Sequence, residues 1–129
     1  AEVMDVFEPG SHGSTYGGNP LACAVAEAAL DVLVGERLAE RAEDLGAHLE
    51  QRLKSLRSPH VKEVRCIGLW AGIELHPPAG GARKYTEALK ARGFLCKETH
   101  THTIRLAPPL VVTRAQLDAA IDAVAAVLA

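Results

Sequence analysis

The sequence predicts an α+β domain, a small sandwich of a few mostly antiparallel strands packed with helices. Two stretches repeat apolar residues at steps of three and four, and a third alternates them every second residue. The predicted elements run helix, helix, strand, helix, strand, strand, helix, without the strict strand-helix alternation of a parallel sheet.

The segment from Phe7 to Asn19 holds glycine, proline, serine and asparagine, the composition of an irregular loop. Asn19 suits a helix N-cap and Pro20 the first helical position, where a missing N–H costs nothing. Leu21, Val25, Ala28, Val32 and Leu33 continue at helical spacing, and Gly35 closes the helix. A second helix follows on Leu38, Ala42, Leu45, Leu49, Leu53 and Leu56, with charged residues on its other faces and Pro59 as its boundary. From Val61 the period changes: Leu69, Ala71, Ile73 and Leu75 alternate with Trp70, Gly72 and Glu74 as in a half-buried strand, and Gly68 allows a bend. Residues 77–81 read as a loop and 82–92 as a short helix stopped by Gly93. Two short strands are expected around Phe94–Cys96 and Thr103–Leu106, ended by Pro108 and Pro109, which have no N–H for a ladder. Thr113 and Gln116 form a capping-box pattern ahead of a last helix on Leu117, Ile121, Val124 and Leu128.

Composition narrows the function. The chain has 129 residues, the size of one domain, and a formal charge of -2 with acidic and basic residues interspersed, so no nucleic-acid or anionic-membrane footprint is visible. No apolar run approaches the roughly 18 residues of a membrane helix. Cys23, Cys66 and Cys96 form no CxxC pair, and each sits among apolar neighbours. They read as small buried hydrophobes in a cytoplasmic protein.

Two segments stand apart. Residues 10–23, GSHGSTYGGNPLAC, set the hydroxyls of Ser14 and Thr15 beside Gly13, Gly17 and Gly18, an arrangement suited to a phosphate. A tight loop before a helix explains the same residues, and on physics alone that reading is preferred. Residues 97–112, KETHTHTIRLAPPLVV, place Arg105 between Ile104 and Leu106, so that it points away from the core and is free to grip a carboxylate. A surface salt bridge is the common alternative. His100, His102 and His12 would be the ligands of a metal site, but a solvated loop is the preferred reading and no metal is expected.

The first segment resembles the HGSTYGGNPL stretch of class III aminotransferases of fold type I. The second is similar to the IRxAPPL stretch of their ornithine branch, and the KETH run of Lys97–His100 has the same affinity. The resemblance covers essentially the whole chain and makes it the C-terminal small-domain portion of such an enzyme. It implies that residues 1–19 are the tail of the large domain and 20–129 the small domain. Thr15, with Ser14 beside it, would bind the phosphate of pyridoxal 5'-phosphate held by the other subunit of a homodimer. Arg105 would bind the substrate carboxylate. Whole enzymes of the branch move the δ-amino group of ornithine to 2-oxoglutarate, giving glutamate semialdehyde and glutamate, and so link arginine breakdown to proline or glutamate metabolism.

The family's cofactor-bonding lysine belongs to the large domain, and Lys54, Lys62, Lys84, Lys90 and Lys97 match none of its positions. No catalytic residue is therefore assigned in this chain, and alone it is expected to be inactive. The missing large domain, whether part of the same chain or a separate polypeptide, is an expected partner. Apolar faces of the first and last helices are expected to be exposed without it. A donor of the acetylornithine or 4-aminobutyrate type, or an orphan metabolite-binding module, are the competing expectations.

Overall fold

The computed structural model describes residues 4–129, and the chain falls into two compact units, Ala1–Arg37 and Leu38–Ala129.

In the first unit a 3-10 turn, Met4–Val6, precedes the glycine-rich loop, and the loop leads into helix α1, Pro20–Gly35. Asn19 is extended, and its side chain accepts from the backbone N–H groups of Leu21 at 3.0 Å and Ala22 at 3.3 Å. Two of the unpaired donors of the helix end are thereby satisfied. No residue of α1 is buried, and Leu21, Val25, Leu30 and Val34 are exposed.

The second unit begins with α2, Leu38–Lys54, followed by β1, Val61–Ile67, and β2, Trp70–Leu75. A 3-10 turn, Pro77–Ala79, leads to α3, Arg83–Ala91, then β3, Lys97–Thr99, β4, Thr103–Leu106, and α4, Arg114–Leu128. All strand pairs are antiparallel, in the order β1-β2-β4-β3. The expected α+β class holds, with two corrections. The stretch from Val61 is a hairpin of two strands, because Gly68 at φ 52 turns the chain between Ile67 and Trp70. The strand expected at Phe94–Cys96 lies at Lys97–Thr99, where the pairing with β4 fixes it.

One face of the sheet carries the core. Ala71, Ile73 and Leu75 of β2 and Ile104 of β4 pack with Leu49 and Leu53 of α2, Leu89 of α3 and Leu117, Ile121, Val124 and Leu128 of α4. The final helix therefore turns its apolar stripe inward, so of the two helices expected to expose such a face only α1 does so. Gly46 lets α2 press on the hairpin turn: a Cβ there would lie 2.4 Å from the carbonyl carbon and oxygen of Gly68. Polar clamps hold the rest. Arg52 binds Asp118 at 2.7 Å and Asp122 at 2.6 Å. Arg114 donates to His48 Nδ1 at 2.9 Å, so Nε2 carries the proton that meets Asp118 at 2.6 Å. The capping box read from Thr113 and Gln116 is formed in full.

Candidate functional site

Ser14 and Thr15 lie in the first unit and Arg105 in the second. In the loop, Ser14 Oγ accepts from the backbone N–H of Tyr16 at 3.2 Å and of Gly17 at 3.1 Å, which closes a small turn around Thr15. Both serine lone pairs are thus engaged and its O–H proton is left to donate outward. Thr15 is exposed, and its hydroxyl has no partner among the described residues. Gly18 sits at φ 75, and no heavy atom lies within 4 Å of where a Cβ would stand on Gly13 or Gly18. Because Asn19 already occupies the first donors of α1, a bound phosphate would depend on loop hydroxyls and loop N–H groups rather than on the helix end. Those donors fit the phosphate of a pyridoxal cofactor.

Arg105 is built into the sheet. Its neighbour Ile104 is fully buried and Leu106 half-buried, so the strand's alternation drives Arg105 to the opposite, exposed face. The segment that follows is pinned by Arg41 of α2, which donates to the carbonyls of Leu110 at 3.2 Å and Val112 at 2.6 Å. A cavity of about 400 Å³ opens beside Arg105, with Arg65, Trp70, Gly72, Thr99 and Thr103 in its wall. Arg105 has no hydrogen bond or ion pair among the described residues, so the common salt-bridge alternative is not what occupies it.

Across β1 and β2 the same face is electrically closed. Arg65 Nη1 binds Glu63 at 2.6 Å and Glu74 at 2.7 Å, and Lys62 binds Glu74 at 2.6 Å. The Lys62 and Arg65 bonds hold the Glu74 carboxyl down to about 2. A larger cleft of about 640 Å³, bordered by Phe94, Leu106, Pro108, Val111 and Ala120, has no charged side chain in its wall and so no group to hold a phosphate or carboxylate.

Among the described residues neither thiols nor imidazoles gather into a reactive cluster. Cys23 is exposed and Cys66 and Cys96 are half-buried, so the expectation of three buried cysteines is corrected. Burial pushes the thiols of Cys66 and Cys96 up, which keeps them protonated. His100, at φ 53, and His102 lie in the turn between β3 and β4, and among the described residues no three His, Cys, Asp or Glu side chains form a metal-binding group. The sequence marks Lys97 only as part of a motif. The β3–β4 register sets it directly opposite Arg105, a relation legible only once the turn is known to span residues 100–102.

Comparison with known proteins gives this geometry a lineage. The family model for aminotransferase class-III matches residues 1–128. An ornithine aminotransferase of Exiguobacterium sp. is 58% identical over 128 residues, which is 99% of this chain and 31% of that protein. The crystal structure of the ornithine aminotransferase from Toxoplasma gondii superposes with a TM-score of 0.83 at 43% identity, over 99% of this chain and 31% of that one. An acetylornithine aminotransferase structure from Elizabethkingia anophelis does so at 0.82 and 44% identity, over 98% and 32%. The chain thus spans about 31% of the length of such curated relatives. A family match over nearly every residue, with the family's two motifs placed on an open loop and an exposed strand face, leaves one conclusion: the chain belongs to the class-III aminotransferases.

Proposed function

We propose that the chain is the C-terminal small-domain part of an ornithine aminotransferase, an enzyme that moves the δ-amino group of ornithine to 2-oxoglutarate and yields glutamate semialdehyde and glutamate. The observation that carries this reading is Arg105, exposed beside a cavity, fixed by a buried strand neighbour and without an internal partner. Its planar guanidinium suits a substrate carboxylate, which it would hold with two parallel hydrogen bonds and so orient the amino or keto end.

Pyridoxal 5'-phosphate would supply the electron sink for the transfer. This chain would contribute the Thr15 hydroxyl and the Ser14 O–H to the phosphate, leaving the ring and the cofactor-bonding lysine to a large domain. Residues 1–19 would be the tail of that large domain and 20–129 the small domain. A homodimer partner would offer the complementary half of each site. Alone, the chain would bind weakly and not turn over.

The test is a chimera in which residues 1–128 replace the matching segment of the Exiguobacterium enzyme. Ornithine-dependent formation of glutamate semialdehyde from 2-oxoglutarate is expected. A folded, cofactor-loaded chimera that ignores ornithine would overturn the reading. A second donor is worth assaying in parallel, because the acetylornithine aminotransferase superposes as well as the ornithine enzyme does. Preference for acetylornithine would move the protein to that branch.

A further inference from the structure

The sheet face that carries Arg105 divides into unlike halves. Antiparallel register aligns Arg65 of β1, Gly72 of β2, Arg105 of β4 and Lys97 of β3 in one row across the sheet. Directly paired residues share a face, so three cations and a glycine stand side by side. Arg65 is balanced by Glu63 and Glu74, and Glu74 is shared with Lys62. Lys97 and Arg105 have no such pairing: among the described residues neither makes a hydrogen bond or an ion pair, and Lys97 meets the Glu98 carboxylate only through space. Glu98, next to Lys97 in sequence, points to the other face, where Arg83 binds it at 3.1 Å and Thr86 at 3.3 Å.

Like charges directly opposite each other destabilise a strand pair. Arg105 lines the cavity, and Lys97 stands directly opposite it on the edge strand β3, outside the cavity wall; an anion held by Arg105 on that side of the row therefore has a second cation beside it. Gly72, on the other flank of Arg105, adds no side chain to fill the row. A Cβ there would meet only Thr103 Cγ2, at an ordinary 3.5 Å, so the strand itself tolerates a larger residue at that place.

We propose that Lys97 is a second substrate-binding cation, gripping with Arg105 the carboxylate of the dicarboxylic 2-oxo acid that accepts the amino group. The proposal rests on the carboxylate role of Arg105 and adds a preference to it. The carboxylate of an α-amino acid donor has an ammonium on the adjacent carbon, which Lys97 repels. The acceptor has no positive charge beside either carboxylate. Lys97 therefore favours acceptor over donor at the shared site.

Lys97→Gln and Lys97→Arg in the Exiguobacterium chimera test this. Lys97→Gln is expected to raise KM for 2-oxoglutarate about tenfold, the worth of one charge-assisted hydrogen bond. KM for ornithine should hold or fall, because the repulsion of its ammonium is removed. Its melting temperature should hold or rise, since a repulsion is removed, and Lys97→Arg should restore most of the lost affinity. Equal changes for both substrates, no change, or a lowered melting temperature would overturn the proposal. Arg105→Gln run in parallel separates the two ideas: if it leaves KM for 2-oxoglutarate unchanged, the Arg105 reading fails, whereas a rise with Arg105→Gln alone removes only Lys97. Titration of the cofactor-loaded chimera with glutarate, followed by side-chain NMR, gives a second readout. The signals of Lys97 and Arg105 should move together, and movement of Arg105 alone, or of neither, refutes the pairing.

Discussion

The loop of Ser14 and Thr15 and the strand of Arg105 prepare a ligand group by opposite means. The loop is exposed throughout, and its shape comes from short-range bonds: Ser14 to Tyr16 and Gly17, Asn19 to Leu21 and Ala22. Arg105 is held from a distance, by Ile104 in the core and by β2 and β3 on either side. A loop fixed by local bonds loses one donor at a time when it is mutated. A side chain fixed by a core loses its geometry when the core is damaged.

Substitutions turn that contrast into numbers. The largest effect is expected from Ile104→Ala, which removes a fully buried side chain under Arg105. It should cost about 2–5 kcal/mol of stability by chemical denaturation. Gly46→Ala should damage the same unit by forcing α2 off the hairpin turn. Neither change touches the loop, so if cofactor affinity of the folded chimera fell as steeply as stability, the two means would not be separable. Next comes Arg105→Gln, expected to raise KM for 2-oxoglutarate about 100-fold, the scale of a lost bidentate ion pair. Stability should move by no more than about 0.5 kcal/mol, because an exposed, unpaired side chain is removed.

The loop should respond more gently. Thr15→Ala is expected to weaken pyridoxal phosphate binding about tenfold, one hydrogen bond to a charged group, as read by absorbance titration. Ser14→Ala removes an outward O–H and also the acceptor that shapes the turn. If turn shape governs the site, Ser14→Ala will exceed Thr15→Ala. If direct donation governs it, Thr15→Ala will be the larger.

The same contrast explains what the sequence disclosed. Asn19–Pro20 and Thr113–Gln116 were legible because caps are written in adjacent residues, and both caps form. The outward aim of Arg105 was legible from its neighbours' polarity alone. The hairpin at Gly68 was not, since an apolar alternation continues across Ile67, Leu69 and Ala71 as if no turn intervened. The place of β3 was missed for a related reason. Phe94–Cys96 is the more apolar tripeptide, but pairing with β4 selects Lys97–Thr99, and a ladder partner leaves no mark on local composition. Lys97 opposite Arg105 is a fact of register, and register appears only when both strands are in hand.

The smallest effect belongs to the balanced half of the sheet face. Glu74 is held down to about 2 from an ordinary value of 4.5, first by its bond to Lys62 and then by Arg65. A folded-state value below the unfolded one means that the carboxylate adds stability above about pH 4.5 and loses it as pH falls toward 2. Lys62→Gln removes the larger cause, so the Glu74 carboxyl, followed by carbon NMR, should titrate closer to its ordinary range while Arg65 keeps part of the shift. The acid side of the stability curve should flatten slightly and the neutral plateau hardly change, because exposed ion pairs contribute little to it. A titration of Glu74 unmoved by Lys62→Gln would give its depression to Arg65. Arg65 would then be the residue that closes this half of the face, and the contrast with Arg105, two strands away in the same row and left open, would rest on the glutamates alone.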